Sequence, residues 1–149
     1  MQRFLGTFVN KLDAKGRVSI PAPYRQVLSR EGGVLYLNRA IGERALNGYT
    51  ETQFAEADEH LKPMNPLRSR DYAAYAMAAF GDVTALTCDD DGGRVVIPPQ
   101  LIEFAGLKDK VQFVGLGKIF EIWDPETFLP VQKARWDRVN ARYGEGEGA

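Results

Sequence analysis

The chain has 149 residues, of which 44% are hydrophobic, and its formal net charge is −1. This composition is ordinary for one globular domain or two very small ones. No apolar run approaches the roughly 18 residues of a membrane-spanning helix, and the N-terminus lacks the apolar stretch of a signal peptide. The single cysteine, Cys88, excludes an intrachain disulfide. We therefore expect a cytoplasmic protein that has no membrane contact.

Residues 1–54 predict a first module of short strands and helices. Two strands, Phe8–Leu12 and Arg17–Ile20, flank the turn Asp13–Gly16, which has an aspartate at its start and a glycine where a left-handed conformation is needed. Pro21 ends the second strand because proline cannot donate to a β-ladder. The sequence therefore predicts an N-terminal hairpin.

The rest of this module predicts a short helix and then three further elements. The helix stops at Gly32–Gly33. Thr50 and Gln53 have the spacing of a capping box, which indicates a helix start. The further elements are two strands and one helix: Val34–Leu37, Ala45–Tyr49 and Glu51–Leu61.

Residues 55–81 predict a helical connector between two modules. Asn65 and Pro66 have the pattern of an N-cap and a first helical residue, and Gly81 ends the helix. One face of this helix is apolar and packs either on the core or on another subunit. Its members are Tyr72, Tyr75, Ala76, Ala79 and Phe80.

Residues 82–128 repeat the first module. At an offset of 77 residues, the acid and the arginine of the first hairpin recur as Asp90 and Arg94. The segment Trp123–Phe128 then matches Tyr49–Phe54 at an offset of 74 residues. One structural module is therefore used twice, and this repetition governs the fold.

Four short strands are too few to bury a core by themselves. We therefore expect an α+β fold in which two tandem modules exchange hairpins through a pseudo-twofold axis and close a small β-barrel, with helices outside it. Gly115–Gly117 is predicted to be a hairpin turn, and Asp124 with Pro125 starts the last helix. Residues 129–149 are expected to form a C-terminal helix and a frayed tail, Gly144–Ala149.

No enzyme constellation is present in the sequence. His60 is the only histidine and lies in a polar helix, and Cys88 has no second thiol or imidazole near it in sequence. The acidic run Asp89–Asp91 lacks the ligand spacing of an EF-hand. We expect a protein that is not an enzyme and that needs no metal or other cofactor.

Charge is distributed unequally between the two modules. Residues 1–30 carry six cationic side chains against Asp13 alone, a net charge of +5. Residues 88–110 carry three cations and five acids, a net charge of −2. The first module is therefore the stronger candidate for contact with nucleic-acid phosphates.

The spacing of Asp13 and Arg17 admits two compatible interpretations. In one, Asp13 caps the turn and pairs with Arg17, which staples the hairpin, and Asp90 and Arg94 do the same. In the other, Lys15 and Arg17 contact phosphate and a base edge while Asp13 orients the guanidinium. Arginine can bind guanine O6 and N7 with two parallel hydrogen bonds, which lysine cannot do.

Three segments resemble the MraZ family of the AbrB-like swapped-hairpin superfamily: LDAKGRVSIPAPYR, MNPLRSR and GRVVIPPQLIEFAGLKDKVQFVGLGKIFEIWDPETF. The resemblance covers the chain to about residue 140 and implies two tandem AbrB-like modules. It further implies a transcriptional regulator, associated with the nucleoid, that binds double-stranded DNA at the promoter of the division and cell-wall gene cluster. Ring-shaped homo-oligomers that meet short, repeated DNA boxes are part of the same implication.

The resemblance also implies roles for particular residues. The paired Asp-x-x-x-Arg signature of the family falls on Asp13 with Arg17 and on Asp90 with Arg94, the latter as a structural turn pair. Basic residues of the first repeat fall on Lys15 and Arg17. The full expected DNA-binding set is Asp13, Lys15, Arg17, Arg94, Arg3 and Lys11.

The second copy is expected to differ from the first. Arg94 follows Asp89–Asp91, whose carboxylates repel phosphate, so we expect Arg17 to carry specific binding and Arg94 to act mainly on its own hairpin. Two other functions are possible for this fold: an antitoxin-like module that binds another protein, and a purely structural ring. The short tail disfavours the first alternative, and the +5 charge of residues 1–30 disfavours the second.

Overall fold

The computed structural model of the protein describes residues 2–88 and 92–148, which contain eight strands and five α-helices. The first module and the connector contain β1 (Thr7–Lys11), β2 (Arg17–Ser19), α1 (Ala22–Ser29), β3 (Val34–Arg39), β4 (Leu46–Tyr49), α2 (Glu51–Leu61) and α3 (Arg70–Ala76). The rest contains β5 (Thr84–Thr87), β6 (Arg94–Val96), α4 (Pro99–Ala105), β7 (Lys110–Gly115), β8 (Phe120–Trp123) and α5 (Pro125–Gly148). The predicted order of strands and helices is confirmed.

The two modules exchange their first strands. β1 pairs with β7, and β5 pairs with β3, so the first strand of each module is added to the β-hairpin of the other. Six antiparallel strands form one sheet in the order β1-β7-β8-β4-β3-β5. This order reads the same from either edge when each strand is replaced by its repeat equivalent. The predicted pseudo-twofold relation is therefore present in the sheet.

Two strand pairs lie on the pseudo-twofold axis. β2 and β6 form a separate antiparallel ribbon, in which Val18 pairs with Val95, its own equivalent in the other module. β4 and β8 pair at the centre of the six-stranded sheet, where Asn47 faces its equivalent, Glu121. Equivalent residues can face each other only on the axis itself, so these two registers locate it.

Closure of the predicted barrel is not seen, because the described strands form two separate sheets, one of six strands and one of two. β1 and β2 diverge after the turn between them, since β1 joins the six-stranded sheet and β2 joins the ribbon. A side-chain bond from Asn10 Nδ2 to the carbonyl oxygen of Ser19, 2.6 Å long, still links the two strands. The predicted hairpin is thus a tight turn between two strands that each pair with a strand of the other module, β1 with β7 and β2 with β6.

The main core joins both modules, and a tyrosine of α1 lies within it. Tyr24 is fully buried, and its ring makes edge-to-face contacts with Phe4, Phe8 and Phe113. Its hydroxyl donates to the carbonyl oxygen of Gly6 at 2.7 Å, and burial raises the pKa of Tyr24 above its usual range. Burying one such ring stabilises the fold by about 1.5–3 kcal/mol.

The start of α2 is capped by a carboxylate from another part of the chain. Thr50 makes no side-chain capping bond, so the predicted capping box does not form. Instead, Glu31 Oε1 accepts hydrogen bonds from the backbone N of Thr52 at 2.9 Å and from Thr52 Oγ1 at 2.7 Å. Burial alone would raise the pKa of Glu31, but these bonds hold the pKa below its usual range. Local spacing could not have indicated this long-range cap.

The connector helix begins later than predicted. Asn65 Oδ1 accepts a hydrogen bond from the backbone N of Leu67 at 2.9 Å and forms a turn. α3 starts after Ser69, whose Oγ accepts from the backbone N of Tyr72 at 3.0 Å. The helix then continues as a π-helical turn, Met77–Gly81, and ends at the predicted glycine.

The last helix starts as predicted and ends later. Asp124 Oδ2 accepts a hydrogen bond from the backbone N of Thr127 at 3.2 Å, and Pro125 takes the first helical position. α5 extends to Gly148, through residues that were predicted to fray. Glycine weakens a helix by about 1 kcal/mol without forbidding it, and elongation adds one hydrogen bond per residue. Within the described residues, no helix combines the length and the apolar composition that a membrane span requires.

Candidate nucleic-acid interface

The first turn, defined here as Asp13–Arg17, is built around one carboxylate. Asp13 Oδ1 accepts hydrogen bonds from the backbone N of Lys15 at 2.9 Å and of Arg17 at 2.8 Å. Asp13 Oδ2 accepts from Arg17 Nε at 2.6 Å. Gly16 has φ +81°, the left-handed conformation that its place in the turn predicted. Asp13 therefore both caps the turn and holds Arg17.

These bonds keep Asp13 ionised while leaving it accessible. The backbone N–H and the guanidinium of Arg17 hold the pKa of Asp13 below its ordinary value of 3.8. The exposed fractions of the two side chains are 40% for Asp13 and 45% for Arg17. An exposed ion pair adds little to stability, so its main effect is to fix the direction of the guanidinium.

The guanidinium of Arg17 keeps donors for a ligand. Within residues 2–88 and 92–148, its hydrogen bond to the protein uses Nε alone. Nη1 and Nη2 are therefore available as a pair of parallel donors, which match guanine O6 and N7 or two phosphate oxygens. The structure confirms that Asp13 staples the first turn to Arg17, and contact of Arg17 with DNA stays a prediction that this geometry permits.

The β2–β6 ribbon places an arginine from each module on one outward face. Its two central valines are buried, so the residues that alternate with them face outward: Arg17, Ser19, Arg94 and Val96. Arg17 pairs across the ribbon with Val96, and Ser19 pairs with Arg94. The two arginines are therefore diagonal neighbours, about 7–8 Å apart.

Reciprocal hydrogen bonds connect each turn to the opposite module. The backbone N of Ile20 donates to the carbonyl oxygen of Gly93 at 2.9 Å. The backbone N of Ile97 donates to the carbonyl oxygen of Gly16 at 2.8 Å. Ribbon and turns consequently form one unit that neither module could build alone. Asp90, the predicted partner of the second arginine, lies outside the described residues, so that pairing stays a prediction.

The other two predicted cations lie at opposite ends of one strand pair. Lys11 ends β1, close in sequence to the first turn, and is paired with Lys110 of β7. Arg3 is exposed at the other end, beside the bridge between Phe4 and Gly117. The structure therefore brings Lys11 towards the first turn and places Arg3 away from it.

Two lysines that the sequence grouped with the acidic second module lie beside the cations of the first. Lys110 faces Lys11 across the β1–β7 ladder. Lys108 and Lys15 line one cavity of about 540 Å³ next to the first turn. Sequence position gave no signal for either neighbour, because only the strand exchange brings these parts of the two modules together.

The remaining candidate groups form no catalytic or metal site in the part of the chain that the structure describes. His60 is exposed, and its ring contacts Tyr75 edge-to-face at 5.2 Å. Cys88 is buried, as expected for a structural thiol. The described ranges contain no cluster of three or more histidine, cysteine or carboxylate side chains suited to a metal ion.

Known proteins match both repeats. Residues 3–65 and 79–138 match the family profile described as "MraZ protein, putative antitoxin-like". A protein of Azorhizobium caulinodans, named transcriptional regulator MraZ, is 39% identical over 99% of this chain and 96% of its own. A protein of the same name from Xanthobacter autotrophicus is 41% identical over 85% of this chain and 80% of its own. Another from Beijerinckia indica is 40% identical over 86% of this chain and 77% of its own.

Two copies of one module, interlocked by strand exchange, define a two-repeat α+β protein whose shared ribbon exposes one arginine from each repeat. The chain belongs to the MraZ family of transcriptional regulators, with one family domain in each repeat. The family that the sequence motifs resembled is therefore confirmed, and so is the expectation of a non-enzymatic protein.

Proposed function

We propose that this protein binds double-stranded DNA sequence-specifically through the β2–β6 ribbon and regulates the division and cell-wall gene cluster at its promoter. One observation carries the proposal: Arg17 and Arg94, from different repeats, share the exposed face of a single ribbon. The major groove of B-DNA is about 12 Å wide and admits a two-stranded β-ribbon. The relatives named transcriptional regulators support the same conclusion.

In this proposal the residues of the first turn have separate roles. Arg17 contacts a guanine through Nη1 and Nη2 while Asp13 holds Nε, which fixes the plane of the guanidinium. Lys15 and Lys11 neutralise backbone phosphates, and Lys110 adds to the same positive potential. Asp13 therefore acts on DNA only through the arginine that it orients.

Arg94 is proposed to contact the same DNA segment as Arg17. A separation of about 7–8 Å between diagonal ribbon positions spans about two base-pair steps, at about 3.4 Å per step. The shared outward face thus supports a direct role for Arg94, beyond the mainly structural one expected from its acidic neighbours. Asp90 would orient Arg94 in the way that Asp13 orients Arg17.

Assembly into ring-shaped homo-oligomers on the nucleoid is the second part of the proposal. α5 carries large apolar side chains with exposed fractions between 46% and 64%: Leu129, Trp136, Val139 and Tyr143. Contact with another copy would remove this surface from water, which favours association. Several ribbons in one assembly would then meet repeated DNA boxes at a raised effective concentration.

A second candidate function is an antitoxin-like module whose main partner is another protein. The description of the matching family, which includes the term antitoxin-like, favours it. The exposed apolar face of α5 would then bind that partner. A chain that binds no DNA from its own upstream region and instead forms a stoichiometric complex with a co-encoded protein would establish this alternative.

The DNA proposal is tested by fluorescence anisotropy on a labelled duplex taken from upstream of the protein's own gene. Arg17→Ala is expected to lower the affinity by about 5- to 150-fold for each contacting ribbon, the effect of losing one bidentate base contact. Arg138→Ala, which removes an exposed cation from α5, is the matched control and should bind as the wild type does. Undiminished specific binding by a well-folded Arg17→Ala variant would refute the proposal.

A further inference from the structure

The outward face of the ribbon is symmetric in its arginines and asymmetric in their neighbours. Val96 pairs with Arg17, whereas Ser19 pairs with Arg94. At the repeat offset of 77 residues, Ser19 and Val96 are equivalent positions. One half of the face therefore carries an arginine beside a valine, and the other half carries an arginine beside a serine.

Val96 lies next to the first turn, which carries Lys15 and Arg17. Val96 is 52% exposed although it is apolar. Its Cγ1 lies 3.8 Å from the position that a Cβ on Gly16 would occupy, which places Val96 beside the first turn. Val96 is also the cross-strand partner of Arg17, so its isopropyl group lies beside the arginine on the outward face.

We propose that Val96 is a specificity-determining residue that contacts the 5-methyl group of a thymine beside the base bound by Arg17. The inference rests on the proposed DNA binding. In the major groove the methyl group distinguishes thymine, and apolar side chains select it. The hydroxyl of Ser19 offers no such contact, so the ribbon selects thymine next to one arginine only.

The test replaces each thymine of the bound region singly with deoxyuridine, which removes the methyl group and keeps the base pair. Wild-type protein is expected to bind about fourfold more weakly at one thymine per box, as expected for one buried methyl group. Val96→Ala should bind the thymine and deoxyuridine duplexes equally. Val96→Thr keeps the β-branched shape and one methyl group, so it should fold normally and retain part of the preference.

The control variant is Val9→Ala, because Val9 is 53% exposed on β1, outside the ribbon, and should keep the full fourfold preference. Equal losses for wild type and Val96→Ala on deoxyuridine duplexes would overturn the inference. Unchanged binding of the wild type to every deoxyuridine duplex would also overturn the inference. The proposed DNA binding through Arg17 would not be affected by that result. A wild type that does not bind the upstream duplex at all would instead overturn the proposed DNA function, and this inference with it.

Discussion

Asp13 is the residue through which turn geometry and arginine orientation are coupled. One of its oxygens accepts two backbone hydrogen bonds of the first turn, and the other accepts Arg17 Nε. A lysine at position 17 would have no Nε for Asp13 and no planar pair of further donors. The chemistry of a single side-chain pair thus explains why an acid precedes the arginine by four residues.

The ionisation of Asp13 predicts a pH dependence for the Asp13→Asn variant. The folded-state pKa is lowered below 3.8 by the bonds from Arg17, so the stabilisation by the charged form is complete above the unfolded pKa. It is lost as the pH falls through the folded pKa. Because the pair is exposed, we expect wild type to melt at only a slightly higher temperature than Asp13→Asn at pH 7, and the two to converge below the folded pKa of Asp13, which lies below 3.8. Melting curves between pH 7 and pH 2.5 check this, and a constant difference would show that the charge is not responsible.

At the scale of the ribbon, two glycines with the same backbone conformation differ in how closely another backbone segment approaches them. Gly16 and Gly32 both have φ +81°. A Cβ on Gly16 would lie 2.9 Å from the carbonyl oxygen of Ile97, whereas a Cβ on Gly32 would meet no atom within 4 Å. Both positions need a left-handed backbone, but only Gly16 also needs the absence of a side chain.

This difference predicts unequal costs for two identical substitutions. Gly32→Ala should lower the free energy of unfolding by about 1–2 kcal/mol, the cost of a left-handed alanine. Gly16→Ala should cost at least about 1 kcal/mol more, because relief of its contact must shift the Ile97 backbone and open the end of the ribbon. Urea denaturation of both variants gives the comparison. Equal costs would mean that the ribbon end adapts freely.

An ion pair between Arg135 of α5 and the buried Glu121 of β8 holds α5 against the sheet. Glu121 is 5% exposed and accepts hydrogen bonds from Trp123 Nε1 at 2.9 Å and from Arg135 Nη1 and Nη2 at 2.7 and 3.0 Å. The bonds to Glu121 raise the pKa of Arg135 further above its usual range. The guanidinium also lies over the ring of Trp123, 5.7 Å from its centroid. One arginine thus joins the helix to the centre of the sheet.

Arg135→Ala is expected to lower the free energy of unfolding by about 2–4 kcal/mol, because it leaves the buried Glu121 without its cation. Adding Glu121→Gln should restore part of the loss, since a neutral amide costs less to bury. Lys133→Ala on the same helix breaks an exposed pair with Asp137 and should change the stability by less than about 0.5 kcal/mol. Urea denaturation measures all three. A loss no larger than that of Lys133→Ala would show that Arg135 does not anchor α5.

At the scale of the whole molecule, strand exchange makes the two repeats interdependent. Each module lends its first strand to the other and shares the ribbon with it. The described residues therefore form one proposed DNA-binding surface, although the sequence carries two copies of its motif. If this surface binds DNA as we propose, several linked copies of it would bind repeated boxes with a raised effective concentration.

Light scattering should consequently give a mass several times the 16.6 kDa of one chain. Trp136→Asp, at a 60% exposed position of α5, is expected to lower that mass and to weaken binding to repeated boxes more than to a single box. Leu67→Asp introduces the same charge at a 95% exposed position of the connector and should leave both properties unchanged. A monomer that binds one box as tightly as several would contradict this account of affinity.

The sequence by itself determined the features that depend on neighbouring residues. The repeat, the order of strands and helices, the glycine of the first turn and the pairing of Asp13 with Arg17 were all predictable. They follow from spacing and backbone preference within a few residues. The family was predictable for the same reason, because its motifs are contiguous in the chain.

Only the tertiary structure decided which distant residues meet. The exchange of hairpins was expected, but the residue registers of β1 and β2, the cap of α2 by Glu31 and the pair of Lys11 with Lys110 depend on contacts between distant parts of the chain. The same holds for the face that Arg17 shares with Arg94 and Val96. Burial of both modules in one core sets these registers, and a one-residue slip would turn every side chain to the other face. Local propensity carries no information about such a choice.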